Sequence, residues 1–218
     1  MKIKWLGHAA FLVMSESGLR LITDPYESGG YDGNVGYGPI REPADIVTVS
    51  HEHPDHNDTR QIPGSPTVIR KTGKHLAKGL AIEGILTCHD ETSGRQRGLN
   101  TVFCFTLDAV RVCHLGDLGH VLAPKEITAI GPVDVLMIPV GGFYTIDAAQ
   151  ANLVIAALQP KVVLPMHYKT AKLDFPVAGI DEFLTGKAAV KRLETSEVSL
   201  TKDTLPATTE VWVLKYAL

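Results

Sequence analysis

Cysteine is scarce in this sequence, and what there is has no framework spacing. Cys88, Cys104 and Cys113 are the only three, with no CxxC pair. An odd number in that pattern excludes a disulfide scaffold and a structural zinc knuckle. Each lies in an apolar run and reads as a reduced thiol of the core, which fits a reducing compartment and a cytoplasmic location. Long hydrophobic runs are also missing. None approaches membrane-spanning length, and the run at 9–14 is too short for a signal-peptide core, so no membrane association is expected. Basic charge is not in excess. The formal net charge is −3, whereas a nucleic-acid partner requires a basic face, so none is expected. A small anionic substrate stays open, because a metal site carries its own local charge. There is no Pro- or Ser-rich linker, no internal repeat and no GxGxxG or Walker pattern. Residues 1–218 therefore read as one domain, long enough to bury a core.

Short apolar runs rich in β-branched residues recur along the chain. Strands are predicted at 3–6, 11–14, 19–23, 45–49, 67–69, 82–87, 101–107, 110–114, 133–139, 161–165, 188–190 and 210–215, each bounded by Gly, Pro, Asp or Asn. Leu107-Asp108-Ala109-Val110 reads as a tight hairpin turn. Helices are fewer. The Ala-rich segment 147–158 stops at Gln159-Pro160, and 124–130 opens on a proline and ends at Gly131-Pro132. Weaker helical patterns cover 74–80, which would put His75 on an exposed helix face, and 177–184. A β-rich start with helices inserted later predicts an α+β fold, two facing sheets with helices outside: an αββα sandwich.

The sharpest feature is Ser50-His51-Glu52-His53-Pro54-Asp55-His56, directly after the strand at 45–49. Three histidines and two acids fall within six residues. An extended segment leaving a strand puts alternate side chains on one side, so His51, His53 and Asp55 converge; His56 is expected to open a helix and point back. Imidazole and carboxylate without thiolate suit zinc, iron or manganese. Ligands packed this closely point to two divalent ions, with zinc first in expectation. The further ligands must come from elsewhere, and His89, Asp117 and His167 each stand where a strand meets a loop.

His51-x-His53-x-Asp55-His56, followed in order by His89, Asp117 and His167, resembles the metallo-β-lactamase superfamily over nearly the whole chain. Trp5-Leu6-Gly7-His8-Ala9-Ala10-Phe11 and Gly116-Asp117-Leu118-Gly119-His120 are similar to the branch that holds ascorbate-6-phosphate lactonase and many metal-dependent hydrolases. The resemblance implies that His51, His53 and His89 hold one metal, that Asp55, His56 and His167 hold a second, and that Asp117 bridges both. It also implies that Asp24 braces the metal loop, and that a hydroxide between the metals attacks a small, anionic ester or lactone. Histidine at position 53 departs from the glutamate of the diiron oxygen-reducing branch, and no flavodoxin-like domain is appended. The long insertions of RNA-processing members are absent as well. The first two of these features favour hydrolysis over redox chemistry. The alternatives are a phosphodiesterase on the same two-metal site, a diiron redox enzyme, and a domain that binds without catalysis.

Other residues are candidates around that centre. His8 is expected at the mouth of the site as a substrate contact or proton shuttle, and His120 facing the pocket from the Asp117 loop. Asp55 and Asp117 join them as catalytic candidates. His114 is read either as support behind Asp117 or as a core residue. Arg95 and Arg97, just after His89, are candidates for binding a substrate anion. Tyr144 and Tyr168 are candidates for substrate contact, Tyr168 as a donor to a developing oxyanion. Gly141-Gly142 is expected to let the following loop come close to the metals. A small molecule is the expected partner, and homo-oligomerisation is left open.

Overall fold

The computed structural model describes residues 1–218. Nine strands come first in the chain: β1 (Lys2–Gly7), β2 (Ala10–Met14), β3 (Arg20–Thr23), β4 (Ile46–Thr48), β5 (Thr67–Ile69), β6 (Gly73–Ala77), β7 (Leu80–Cys88), β8 (Leu99–Leu107) and β9 (Val110–His114). Helix α1 (Pro124–Ile130), β10 (Val135–Pro139), α2 (Ala148–Leu158), β11 (Val162–Met166) and α3 (Ile180–Leu184) follow. Three short strands, β12 (Val190–Arg192), β13 (Glu197–Ser199) and β14 (Glu210–Val213), close the chain. One sheet runs β13-β1-β2-β3-β4-β5 and the other β12-β14-β11-β10-β9-β8-β7-β6. No helix is long and apolar enough to cross a membrane.

Side-chain alternation sorts the first sheet into two faces. Trp5, Phe11, Leu21 and Ile46 join the core between the sheets, while their neighbours Leu6, Leu12, Ile22 and Val47 belong to a second cluster on the outer face. Loops, not helices, cover that outer face, through Tyr26, Val35, Tyr37, Ile40, Leu173 and Phe175. The helices lie against the second sheet. There β10 and β11 are buried at every position, because α2 covers one face and the first sheet the other. Helix α2 presents Ala148, Ala151, Val154 and Leu158 as one buried stripe. Its Asp147 carboxylate accepts from the Gln150 N–H, and it stops at left-handed Gln159 before Pro160.

Strand direction determines where the site can form. β3 and β4 are parallel, as are β9, β10 and β11. β1 and β7 are each two antiparallel steps away, from β3 and β9 respectively, and so point the same way as those strands. The C-terminal ends of all these strands gather along one edge of the sandwich.

The hairpin at Asp108-Ala109 forms, with both residues left-handed (φ 47° and 63°) and Leu107 paired to Val110. Segment 74–80 is not a helix. Lys78 and Gly79 are left-handed (φ 50° and 81°) and turn β6 back onto β7, so His75 sits on a strand. Leu76, Ala77 and Leu80 mimic helical spacing only because that turn lies between them. His56 falls in a turn and opens no helix, and 177–184 is helical only from Ile180. Strand β12 begins two residues later than predicted, at Val190, and β13 has no counterpart among the predicted strands. Cys104 and Cys113 are buried, but Cys88 is only half-buried.

Candidate metal centre

Most strands that end at this edge deliver a polar residue to it; β10, which runs into Val140-Gly141, does not. His8 follows β1, Asp24 follows β3, Ser50 and His51 lie just beyond β4, His89 follows β7, Asp117 lies three residues past β9, and His167 follows β11. His8, Asp24 and His167 are left-handed, with φ of 50°, 38° and 51°. That conformation costs a non-glycine residue on the order of 1 kcal/mol and persists only where the surroundings enforce it. Three such residues in one place mark a built site.

One carboxylate oxygen is at its centre. Asp117 Oδ2 lies 3.2 Å from His56 Nε2, 3.3 Å from His89 Nε2, 3.3 Å from His167 Nε2 and 3.8 Å from His51 Nε2. His51 Nε2 and His53 Nδ1 face each other at 3.0 Å. Asp55 Oδ2 is 3.5 Å from His56 Nε2 and 3.0 Å from His8 Nε2. Two donor sets stand side by side, His51, His53 and His89, and His8, Asp55, His56 and His167, each within 4.8 Å, and a third grouping, Asp24, His51 and His56, links them from behind. Asp117 touches members of both sets.

The residues fit divalent cations on three counts. Asp24, Asp55 and Asp117 are buried, and their only ion-pair partners are histidines. Buried carboxylates without lysine or arginine call for another positive charge. Second, His56 Nε2 and Asp117 Oδ1 are buried with no hydrogen-bond partner. Third, the imidazoles of His8, His51 and His89 are held neutral, the form that ligates metal. Burial lowers His51 to about 3, with the nearby His56 adding to it, and burial also lowers His89. His56 is the exception: against the cost of burial, Asp117 and Asp55 raise it well above the usual range. Burial by itself would raise Asp117, yet His167 and His56 hold it well below the ordinary carboxylate range. A bound cation would balance the charge of Asp117 and Asp55 in place of His56.

A surrounding layer fixes the donors. Asp24 accepts the Ser50 N–H at 2.7 Å and the Ser50 hydroxyl at 2.5 Å, and its Oδ2 is 3.0 Å from His56 Nδ1. With Nδ1–H given to Asp24, the Nε2 lone pair would be free to meet a cation beside Asp117. Asn100 accepts the Asp117 N–H at 3.0 Å and donates to Leu115 O and Thr87 Oγ1. His114 is fully buried; its Nδ1 accepts the Gly116 N–H at 3.2 Å and its Nε2 donates to Ala9 O at 2.9 Å, so it supports the Asp117 loop from behind. Gly119 lies flat on the His89 backbone, where a Cβ would have no room.

Over the centre lies a cavity of about 180 Å³. Opposite the histidines its wall is Tyr31, Tyr144, Phe175 and Arg97. Phe175 meets the edges of Tyr31 and Tyr144 at 5.4 and 5.7 Å, and the Arg97 guanidinium stands 5.6 Å from the Tyr144 ring. Tyr31 donates to Asp55 Oδ1 at 3.3 Å; burial and the Asp55 charge push its phenol up, keeping it a donor. Arg97 is held by the loop it ends. The Asp90 carboxylate accepts the N–H groups of Thr92, Gly94, Gln96 and Arg97 and the Thr92 hydroxyl. Gly141 packs against the His167 carbonyl, bringing the Phe143-Tyr144 loop close to the centre.

Four expected contacts do not reach this cavity. His8 is not at its mouth: it is fully buried beneath the centre, held by Asp55, with its ring 4.3 Å from that of His167. His120 turns away, because its Nε2 accepts the Cys88 N–H at 3.2 Å and its Nδ1 donates to Val121 O. Arg95 folds back onto Thr92 O at 2.9 Å and stays in solvent. Tyr168 follows His167 and so points to the opposite side, where it is buried 5.3 Å from Trp5. Sequence reading missed Tyr31, Phe175, Asp90 and Asn100. Only Asp90 carried a local signal, the Asp-x-Thr-x-Gly pattern of an Asx turn; Tyr31 and Phe175 come from distant loops.

Comparison with known proteins agrees with the geometry. The β-lactamase superfamily domain matches residues 2–167. UPF0173 metal-dependent hydrolases of Carboxydothermus hydrogenoformans and Archaeoglobus fulgidus are 32% and 30% identical, covering 83% and 79% of this chain and 88% and 85% of theirs. A Thermotoga maritima crystal structure assigned as a Zn-dependent hydrolase of the metallo-β-lactamase superfamily is 36% identical, with a TM-score of 0.82 over 99% of both chains. The chain belongs to the metallo-β-lactamase superfamily, among its metal-dependent hydrolases.

Proposed function

We propose that this protein is a dinuclear zinc hydrolase acting on a small, anionic ester or lactone. The observation that carries the reading is Asp117 Oδ2, one oxygen within 3.8 Å of imidazole nitrogens from both donor sets. His51, His53 and His89 would hold one ion, Asp55, His56 and His167 the other, and Asp117 both. The thiolate-free donor set suits zinc, with iron and manganese as the competitors. Two divalent ions supply Lewis acidity and a water that is acidic near neutral pH. The chain does the rest. Asp24 and Asn100 hold the donors in place. Tyr31 keeps Asp55 oriented through its hydroxyl. The aromatic wall keeps bulk water from the reacting group, and Arg97 offers its guanidinium to a substrate anion. A cavity of about 180 Å³ favours a small reacting group, since drug-sized pockets start at roughly 300 Å³. Three cysteines in no disulfide fit a cytoplasmic location.

The test is metal content by elemental analysis, with turnover of lactones, carboxylic esters and bis-p-nitrophenyl phosphate by wild type and Asp117→Ala. Near two zinc ions per chain, carbonyl turnover, and loss of both in the variant are expected. Turnover of the phosphodiester alone would move the reading to a phosphodiesterase. Iron without hydrolysis would move it to redox chemistry, and full turnover by the variant would remove Asp117 from the centre.

A further inference from the structure

A second recess opens beside the cavity. Its volume is about 590 Å³, and it shares His53 and Arg97 with the cavity. Its walls combine two features that an ordinary surface seldom brings together. The first is apolar. Leu86 on β7 and Leu99 on β8 both line it and leave 52% and 57% of their surface uncovered. The pairing of Leu86 with Thr101 and of Cys88 with Leu99 makes the two leucines diagonal neighbours on one face. The second is cationic. Arg70, Lys71 and Arg97 border the recess against one carboxylate, Glu52. Glu52 is already taken by Arg70 Nη1, at 2.8 and 3.1 Å. Lys71 and Arg97 enter no ion pair. In a chain of net charge −3 this local excess runs against the average. Arg97 also arrives preorganised, since Asp90 fixes its loop, so little ordering cost remains when an anion binds.

We propose that the recess is a distal subsite of the active site, binding a phosphate or carboxylate at the far end of a substrate whose apolar middle rests on Leu86 and Leu99. The word substrate rests on the hydrolase reading above; the anion site itself does not. Lys71 supplies the terminal charge contact, and Arg97 stands at the junction with the metal-side cavity. Such a subsite selects substrates carrying an oxyanion several bonds from the scissile group, through charge-assisted contacts in a partly apolar setting.

The test uses two probes that cannot be hydrolysed, 4-phenylbutylphosphonate and 5-phenylpentanoate. Each is titrated by calorimetry into metal-loaded wild type, Lys71→Glu and Leu86→Asp, and into metal-free Asp117→Ala. Both substituted groove positions are exposed, so the variants fold. Lys71→Glu is expected to weaken binding about tenfold or more through loss of a charge-assisted contact, and Leu86→Asp by a similar factor because it sets a carboxylate on the apolar rest. Binding is expected to survive in Asp117→Ala. The preferred probe then separates phosphate from carboxylate as the natural group. Binding abolished by Asp117→Ala but untouched by Lys71→Glu and Leu86→Asp would place the anion on the metal centre and overturn the subsite. Absence of turnover on every ester and lactone, with groove-dependent binding intact, would sink the hydrolase reading alone and leave the anion site standing.

Discussion

At the residue scale, the centre depends on side chains that serve two neighbours at once. The Asp24 carboxylate holds both the Ser50 backbone and the His56 ring. Asp24→Ala is expected to weaken zinc affinity about 10–100-fold, as second-layer losses do. Competition with a coloured chelator measures it, and an unchanged affinity would mean that packing alone orients His56. His8 acts from beneath. Burial lowers it to about 4, so it is a neutral ring giving a hydrogen to Asp55. His8→Ala removes a fully buried ring and that contact, so the metal-free protein should lose about 2–4 kcal/mol by denaturant unfolding. A loss below about 0.5 kcal/mol would contradict the packing described. Of this residue-level detail, the run from His51 to His56 was legible because one turn carries most of the donors. Tyr31 was not, since its partner Asp55 lies 24 positions away and nothing local marks the pair.

At the scale of elements, loop 90–98 and the loops that carry Tyr31, Tyr144 and Phe175 decide which side chains meet the cavity. Asp90 takes five hydrogen bonds from its own loop, four of them from backbone N–H groups. Asp90→Ala is therefore expected to speed amide exchange at Thr92, Gly94, Gln96 and Arg97 by roughly tenfold or more, and to raise KM more than it lowers kcat. Equal protection in wild type and variant would show that the loop is held from outside. The α2 cap is a simpler case: Asp147→Ala should cost about 1 kcal/mol with activity retained. Element types were readable where an apolar run or a helix-forming run with a clear stop signal stood unbroken, as in β8 and α2. Reading failed at 74–80, where a left-handed Lys78-Gly79 turn splits an apparently helical pattern, and at β13, whose pairing to β1 is a long-range event.

At the scale of the whole molecule, two sheets converge on one charged edge. Three buried carboxylates there lack a cationic side chain, so metal binding and folding are linked. Chelation should lower the melting temperature, with a loss approaching about 4 kcal/mol when free zinc had stood a thousandfold above its Kd. Calorimetry with and without chelator checks this. An unchanged melting temperature would mean that the cluster is stable as an ion-pair network without metal.

The sequence by itself determined the class of chemistry. Histidine and aspartate in one short turn after a strand leave few alternatives to a metal, and the run of strands before helices set the sandwich. The candidate donors were legible because four of them share one turn after β4, while His89, Asp117 and His167 lie at or just past strand ends, positions that local patterning marks. Only the tertiary structure decided which other residues face the reacting space. Whether Arg97 or Arg95, Tyr144 or Tyr168, His8 or His120 reaches it depends on loop hydrogen bonds, such as those of Asp90, Thr92 and Cys88, and on which side of a strand end a side chain leaves. Those are contacts between segments far apart in the chain, and the energy that selects them appears only when the two sheets close on each other.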